Sequence, residues 1–478
     1  MRPLLEEPGP VALGAVLFLF LAGWCFSNRR LDLSLAALGL YLGLLDGYLK
    51  LRTGNQFVTL GRDLLVAAIA GGALVRTLRS RQPLPVPPLG GFVLAFSAVV
   101  VIELFNPEGR GLAGGLAGVR QHLEFVPLFF LGYAVVRRES QIEKLLLILV
   151  ACAAIGGVVS YVQSTLTPDQ LANWGPGYRE RILGSGPFTG SGRTSVDAAT
   201  GTVSVRPFGL GSDAGAGAVI AVLALPALLA MLMVARKRLR PALVLLAIGI
   251  ALAIATSGSR TALITAGVSV LAFAFIVARS RDSLRVIAGL AIGVILLYGT
   301  FDQLLARDNQ ATQRTRSIVS SGPISTYEAE RASSLKRFDD YAIAYPLGLG
   351  VGYGGPAASI SRAGDSQQTF DRDPGTQFNY ETQWNYLVLE LGLAGLVLFL
   401  MLSLRLVALA FIRIRRISSQ RLRWQLAALA APMIGLLVQG FAGITTASVP
   451  SAPYFWFVAG VLSYWLITRY RMPAQVEA

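Results

Sequence analysis

Charge is what this sequence has least of. Only 14% of its residues are Asp, Glu, Lys or Arg, against a hydrophobic share of 54%, and the mean hydropathy is +0.57. A soluble enzyme of 478 residues needs more polar surface than that, so a soluble fold is excluded. Histidine is nearly absent, with His122 alone, and the two cysteines, Cys25 and Cys152, both fall in apolar runs. No disulfide framework is expected, and two thiols without a histidine cluster make no metal centre. No basic stretch precedes a short apolar run with a small-residue cleavage site, so the first apolar segment reads as a retained anchor.

What the chain has in quantity is apolar sequence in runs of membrane-spanning length. Crossing about 30 Å of hydrocarbon takes roughly 20 apolar residues in a helix. Windows of that kind stand at 10–26, 31–48, 62–76, 88–105, 121–136, 142–164, 213–234, 240–257, 259–278, 285–302, 382–404, 424–444 and 451–468. The sequence thus predicts an all-α integral membrane protein of about 13 transmembrane helices, within a range of 12–14. Lys and Arg resist translocation while acids count for little, so the gaps between windows set the orientation. Basic gaps alternate along the chain: NRR at 28–30, RTLRSR at 76–81, VRRES at 136–140, ARKRLR at 235–240, ARSRDSLR at 278–285, RIRRISSQRLR at 413–423 and TRYR at 468–471. All fall on one side if the N-terminus is outside and the C-terminus cytoplasmic, and the acidic RPLLEEPGP near the start agrees. Much of the net charge of +15 is then topological, and nucleic-acid binding is not expected.

Two segments on the outer side are much longer than a turn, and loops of such length are uncommon unless functional or disordered. Residues 165–212 are rich in Gly, Ser and Thr and carry Arg179, Arg181, Arg193 and Arg206. Residues 303–381 hold the helix-like SSLKRFDDYAIAY at 333–345 and then the glycine punctuation PLGLGVGYGGP at 346–356. The chain is read in three parts: 1–302 with the first ten spans, 303–381 as a partly helical cap, and 382–478 with the last three spans. No convincing internal repeat is found, which argues against a transporter built on inverted repeats.

Ionisable residues at the edge of hydrocarbon are costly, so each is a functional candidate. On the outer side these are Arg120 at the start of the fifth window, Arg206 before the seventh, Arg260 in TSGSRTA, and Glu381 at the start of the eleventh. Guanidinium groups stay charged and offer forked donors to phosphate oxygens, so three of them suit a diphosphate whose developing charge they offset. Glu381, between Tyr380 and the TQWN that follows, can take a proton from an attacking hydroxyl. A first-turn position near arginines lowers a carboxylate's proton affinity, and burial beside Tyr380 and Trp384 raises it.

Other readings stand beside these. Glu381 can simply stabilise a helix N-terminus, Arg260 can snorkel to the interface, Arg120 can be an interfacial anchor and Arg206 a solvated loop charge. His122 reads as a packed helix residue. Glu390 lies about 13 Å deeper than Glu381 at ~1.5 Å per residue, with Gly392 and Gly395 beyond it, and reads as a contact satisfied inside the bundle. Arg181 with Gly192, and Arg337 with Gly348, repeat one arginine-to-glycine spacing, which 51 glycines in 478 residues also produce readily by chance.

Four segments carry a family likeness: RPFGLGSDAGAGAVIAVLALP (206–226), TSGSRTALITAGVSVL (256–271), RASSLKRFDDYAIAYPLGLGVGYGG (331–355) and ETQWNYLVLELGLAGLVLF (381–399). In this order they resemble the signature segments of the O-antigen ligase and Wzy-type polymerase superfamily. The likeness spans roughly residues 90–400 in layout, and its most specific pieces are the S-R-T-A step and the E-x-G-x-x-G segment. It implies a metal-independent, inverting glycosyltransferase of the GT-C class in the bacterial inner membrane, with no cofactor. Such an enzyme moves a glycan from an undecaprenyl-diphosphate carrier to an acceptor hydroxyl at the periplasmic face.

Carried over by the resemblance, Arg206 and Arg260 contact the carrier's diphosphate. Arg331 matches the arginine before the P-x-G-x-G turn, with Arg337 as a neighbour able to serve instead. Arg120 resembles an arginine at the corresponding helix start, and the spacing that includes Arg181 resembles a pattern of the polymerases. Ligases acting on lipid A core carry a histidine where this chain has Glu381, which favours the polymerase branch with Glu381 as general base. The alternatives are an O-antigen or protein glycan ligase of the same superfamily and a lipid-linked oligosaccharide flippase. Charges gathered at one face weigh against the transporter, and the four segments do not fit a SEDS-type peptidoglycan polymerase. Implied partners are the lipid bilayer, an undecaprenyl-diphosphate-linked oligosaccharide and a chain-length regulator.

Overall fold

The computed structural model describes residues 8–54, 57–81, 86–109, 111–184, 194–196, 203–278, 335–354 and 382–471. The expected span at 285–302 and the candidates Arg331 and Glu381 lie outside the described residues. The first helices are α1 (Pro8–Ser27), α2 (Leu31–Thr53), α3 (Phe57–Arg79), α4 (Gly90–Glu103), α5 (Gly111–Leu123), α6 (Pro127–Val135) and α7 (Glu139–Ser164). Two short helices, α8 (Pro168–Ala172) and α9 (Pro176–Leu183), lead into a ribbon of β1 (Thr194–Val196) and β2 (Val203–Val205). Then come α10 (Ala216–Val234), α11 (Arg240–Thr256), α12 (Arg260–Val277), α13 (Phe338–Ala344), α14 (Gln383–Arg413), α15 (Gln420–Gln439) and α16 (Ser451–Ser463), the last continuing through a π turn at Tyr464–Thr468.

Hydrocarbon offers no partner for a bare amide, so apolar sequence of this length must satisfy its backbone inside helices. Eight of the described helices are long and apolar enough to cross a membrane, and Gly90–Glu103 and Val16–Ser27 are shorter apolar helices. The chain is therefore an all-α, multi-pass membrane protein whose only described strands are the three-residue pair of the ribbon. That pair is antiparallel, with Thr194 opposite Val205 and Val196 opposite Val203. Helices α10 and α15 lie at the centre, most of their residues buried, while α2, α3 and α11 turn most of theirs outward. With no hydrophobic drive between helices in lipid, packing depends on close approach. On α7 and α11, a Cβ at either Gly157 or Gly249 would run into the backbone of the facing helix.

One end of the bundle collects arginines. Arg415 donates through Nε to the Phe275 carbonyl at the foot of α12 (3.0 Å), Arg413 donates to the Leu466 carbonyl, and Arg421 pairs with Glu143. All three arginines belong to the basic gap at 413–423, and their partners lie at the helix ends that border three other basic gaps. At the other end the fifth window departs from expectation. The helix begins at Gly111 rather than near residue 121 and breaks after Leu123, with Pro127 opening α6. The run GLAGGLAGV is too glycine-rich to stand out by hydropathy, yet its small residues let α5 pack closely. The stretch 165–205 also holds more structure than its composition suggested. Thr167 and Gln170 cap α8 reciprocally, and a small core of Leu51, Leu171, Tyr178, Ile182, Val205 and Phe208 seats α9 and the ribbon on the end of α2.

Candidate functional site

Arg206 follows β2 directly, and the chain beyond it is held by one buried side chain. Gln163, near the end of α7 and fully buried, accepts from the amides of Phe208 and Gly209, both at 2.8 Å, and donates to the Gly209 carbonyl at 3.0 Å. Phe208 itself is buried against Tyr178, ring centroids 5.4 Å apart and edge to face. Burial pushes the Tyr178 phenol up, so it stays a neutral wall of this small core. The segment RPFGLG is thereby fixed at both its backbone and its aromatic residue, and it presents a half-buried Arg206.

Two helices start beside that guanidinium. The Gly215 amide donates to the Pro207 carbonyl (2.8 Å), and Gly215 has φ +83°, turning the chain into α10. A Cβ placed on Gly215 would stand 3.4 Å from Arg206 Nη2 and 4.0 Å from Ser259 Cβ. Ser259 caps α12, its Oγ accepting from the Ala262 amide at 3.3 Å, and Arg260 is the first residue of that helix. The turn of TSGSRTA is therefore legible in physical terms: Gly258 at φ +56° reverses the chain, Ser257 Oγ accepts from the Ser259 amide, and Ser259 caps. Arg206 and the N-termini of α10 and α12, the latter bearing Arg260, meet at one corner, and Asp213 lies in the turn before α10, where its carboxylate accepts from the Ala214 amide. The positive dipole end of a helix, with a guanidinium beside it, suits a phosphate.

Arg120 occupies a second cluster. It lies in the last turn of α5, where its Nε donates to Asp63 Oδ2 at 2.5 Å and its Nη2 stands 4.0 Å from Glu124 Oε2. Arg62 grips Glu124 with two bonds of 2.5 and 2.9 Å and reaches Asp46 Oδ2 at 3.4 Å. Two guanidinium groups thus face three carboxylates, and Lys50, within electrostatic reach of Arg62, Arg181, Asp46 and Arg120, brings the cluster to balance. Arg181, in the last turn of α9, borders this cluster. The charge of Arg120 is committed to neighbours here, and the residue ends α5 rather than starting the fifth span as the sequence led one to expect.

The start of α14 is clamped with equal care. Thr382 and Gln383 are fully buried. Thr382 Oγ1 accepts from the Asn385 amide (3.2 Å), while Gln383 Oε1 accepts from the amides of Thr445 (2.8 Å) and Thr446 (3.0 Å). Gln383 Nε2 donates to Thr446 Oγ1 (2.7 Å), and its own amide donates to the Gly440 carbonyl (2.8 Å). Glu381, the residue before this lock, is outside the described residues.

Two turns further on, α14 is broken and mended. Gly392 sits at φ +62°, ψ −169°, a conformation only glycine adopts without strain. The interrupted ladder is completed by the glycine turn at 346–350: the Leu349 amide donates to the Leu389 carbonyl (2.7 Å) and the Leu393 amide to the Pro346 carbonyl (2.9 Å). P-x-G-x-G and E-x-G-x-x-G are therefore one structural unit. Glu390, fully buried, accepts from the Gly354 amide (2.5 Å) and from His122 Nε2 (2.8 Å). The expectations that Glu390 is satisfied within the bundle and that His122 packs in a helix describe this arrangement.

Of the sequence candidates, the structure brings together Arg206 and the α12 start that carries Arg260; Arg120 and Arg181 are each within electrostatic reach of Lys50. Arg337 is exposed beside α13, which packs on α14. Sequence reasoning missed Gln163, Gln383 and the Asp46, Arg62, Asp63 and Glu124 network. Arg62 and Asp63 had a signal, two ionisable residues opening an apolar window; the glutamines had none, because their partners lie 45 to 63 residues away.

Residues 242–400 match the family model described as O-antigen ligase. The matched stretch runs from α11 into α14 and contains Arg260, Arg337, both glycine motifs and Glu390. No curated protein matches the chain.

Proposed function

We propose that this chain, which belongs through residues 242–400 to the O-antigen ligase and Wzy-type superfamily, is a polysaccharide polymerase. In this reading it has about 13 transmembrane helices in the bacterial inner membrane, N-terminus outside, with its active face periplasmic. It transfers glycan from an undecaprenyl-diphosphate-linked donor to a hydroxyl of a lipid-linked acceptor unit, without a metal. The observation that supports the reading is the corner where Arg206 meets the N-termini of α10 and α12, whose guanidinium group and helix starts suit a diphosphate.

Glu381 takes the acceptor proton as the hydroxyl oxygen bonds to the anomeric carbon, and the bond to undecaprenyl diphosphate breaks with its electron pair going to the leaving group. Arg206 and Arg260 offset the charge that develops there. A carboxylate at a helix N-terminus near arginines is a weak base, but the attacking hydroxyl becomes strongly acidic as its bond to an oxocarbenium-like carbon forms. A weak base then suffices. Arg181, Arg331 and Arg337 line the glycan path in this proposal, and Arg120 acts through the ion cluster. A ligase is the second reading, favoured by the description of the matched family; Glu381 in the place of a ligase histidine favours the polymerase.

The deciding experiment incubates purified protein with lipid-linked repeat units and no added metal. A product ladder supports polymerisation, and a single transfer to lipid or protein acceptor supports ligation. Glu381→Gln is expected to lose about 100-fold or more in turnover; full activity in that variant removes the proposed base.

A further inference from the structure

The mechanism above leaves unused a deeply buried polar cluster at the middle of α14. Glu390 on α14 holds the Gly354 amide with Oε1 (2.5 Å) and His122 Nε2 of α5 with Oε2 (2.8 Å). Tyr386, one turn earlier on α14, stacks on the His122 ring at 5.0 Å between centroids. Its hydroxyl stands 3.0 Å from His122 Nε2 and accepts from Gln121 Nε2 at 2.5 Å. Glu390, Tyr386 and His122 are each at most 2% exposed. Hydrogen bonds to a buried carboxylate are strong, and each is costly to lose because nothing replaces it.

The cluster sits where three pieces of chain meet. The glycine turn passes between α5 and α14: a Cβ on Gly118 would overlap the Gly352 amide, and one on Gly348 would stand 2.7 Å from the Gly392 nitrogen. Asn106 Nδ2 donates to the Gly348 carbonyl at 3.2 Å, holding the turn from its other side. The turn follows α13 directly, and α14 begins two turns before Glu390 at the clamped Thr382 and Gln383.

We infer that Glu390 is a positioning residue: with His122, Tyr386 and the Gly354 amide it clasps the 346–354 turn to the broken middle of α14, fixing the α14 N-terminus relative to the segment that carries α13. The inference rests on the proposed glycan transfer only for its kinetic consequence. Glu390 touches no reacting atom. It acts by holding the start of α14 in place, so its loss slows turnover while leaving the diphosphate corner intact. A misplacement of about 1 Å at a reacting group costs on the order of 100-fold in rate.

The test compares Glu390→Ala with Glu390→Gln in detergent or nanodiscs by hydrogen exchange and by transfer assay on lipid-linked repeat units. The carboxamide introduced by Glu390→Gln can still accept from the Gly354 amide and fills the same volume, so the shape of the clasp is largely kept. In Glu390→Ala, exchange of a peptide covering 346–354 is expected to rise at least about tenfold while peptides of α10 and α12 stay unchanged. Its kcat is expected to fall about 100-fold with KM for the lipid-linked donor within about threefold, and Glu390→Gln to keep kcat within about tenfold of the parent.

Equal loss in both variants, with exchange at 346–354 unchanged, would mean that Glu390 acts through its charge and not as a clasp. Unaltered exchange and kcat in Glu390→Ala would overturn the inference outright. Tyr386→Phe keeps the ring and deletes one hydroxyl; it is expected to give the same local pattern in weaker form, and serves if Glu390→Ala fails to fold. The exchange arm does not depend on glycan transfer. An active Glu381→Gln alongside a loosened 346–354 segment would discard the base and keep the clasp.

Discussion

At the scale of single residues, the arginines of this chain are not equivalent. Arg206 is presented by a backbone that Gln163 locks, at a corner where two helices start, whereas Arg120 is paired with Asp63 and Glu124. Arg206→Ala is expected to raise KM for the lipid-linked donor and lower kcat/KM about 100-fold. Arg206→Lys, which keeps charge but loses the planar fork, is expected to recover only part of this. Steady-state kinetics on both variants read the difference; equal activity of Arg206→Ala and the parent removes Arg206 from the diphosphate site. Gln383 makes a different kind of contribution. Gln383→Leu leaves the Thr445 and Thr446 amides without their acceptor in a buried place, a loss of about 2–5 kcal/mol seen as a lower melting temperature in detergent. Neither glutamine could be recognised from sequence, since a buried amide side chain and its backbone partners are joined only by the fold. Arg206, Arg260 and Glu381 could be picked out because charge at the edge of an apolar run is rare in itself.

At the scale of elements, hydropathy located most helices because membrane burial is decided by local composition. It failed where composition and geometry part. The glycine-rich start of α5 is a helix without a hydropathy peak, and the break in α14 is hidden inside LVLELGLAGLVLF, which reads as continuous apolar helix. The break has a reason that only the folded chain supplies: the 346–350 turn, more than 35 residues earlier, completes the ladder that Gly392 interrupts. Gly392→Ala puts a Cβ at φ +62° within 2.5 Å of the Leu347 carbonyl carbon. Backbone strain and this overlap together are expected to cost about 3 kcal/mol or more. The variant should melt earlier and lose transfer activity, while Gly23→Ala, at a glycine on α1 with open space around it, should do neither. A Gly392→Ala protein as stable as its parent would show that the helix is not interrupted there.

At the scale of the whole molecule, the basic end and the corner formed by α10 and α12 lie at opposite ends of the same helices, so one measurement of sidedness bears on the entire proposal. In the proposed orientation, which rests on the seven basic gaps, 413–423 is cytoplasmic and the segment after α7 is outside. Cys25 and Cys152, both buried, are expected to stay silent toward a membrane-impermeant maleimide, which leaves a clean background for introduced thiols. Thr165→Cys, exposed just beyond α7, is expected to label in intact cells from which any outer membrane has been stripped. Ser418→Cys, exposed between α14 and α15, is expected to label only after permeabilisation. The opposite pattern would put the Arg206 corner on the cytoplasmic side. Lipid-linked glycan presented at the periplasmic face would then have no access to it, and the polymerase and ligase readings would fall together, while the clasp around Glu390, argued from packing alone, would stand.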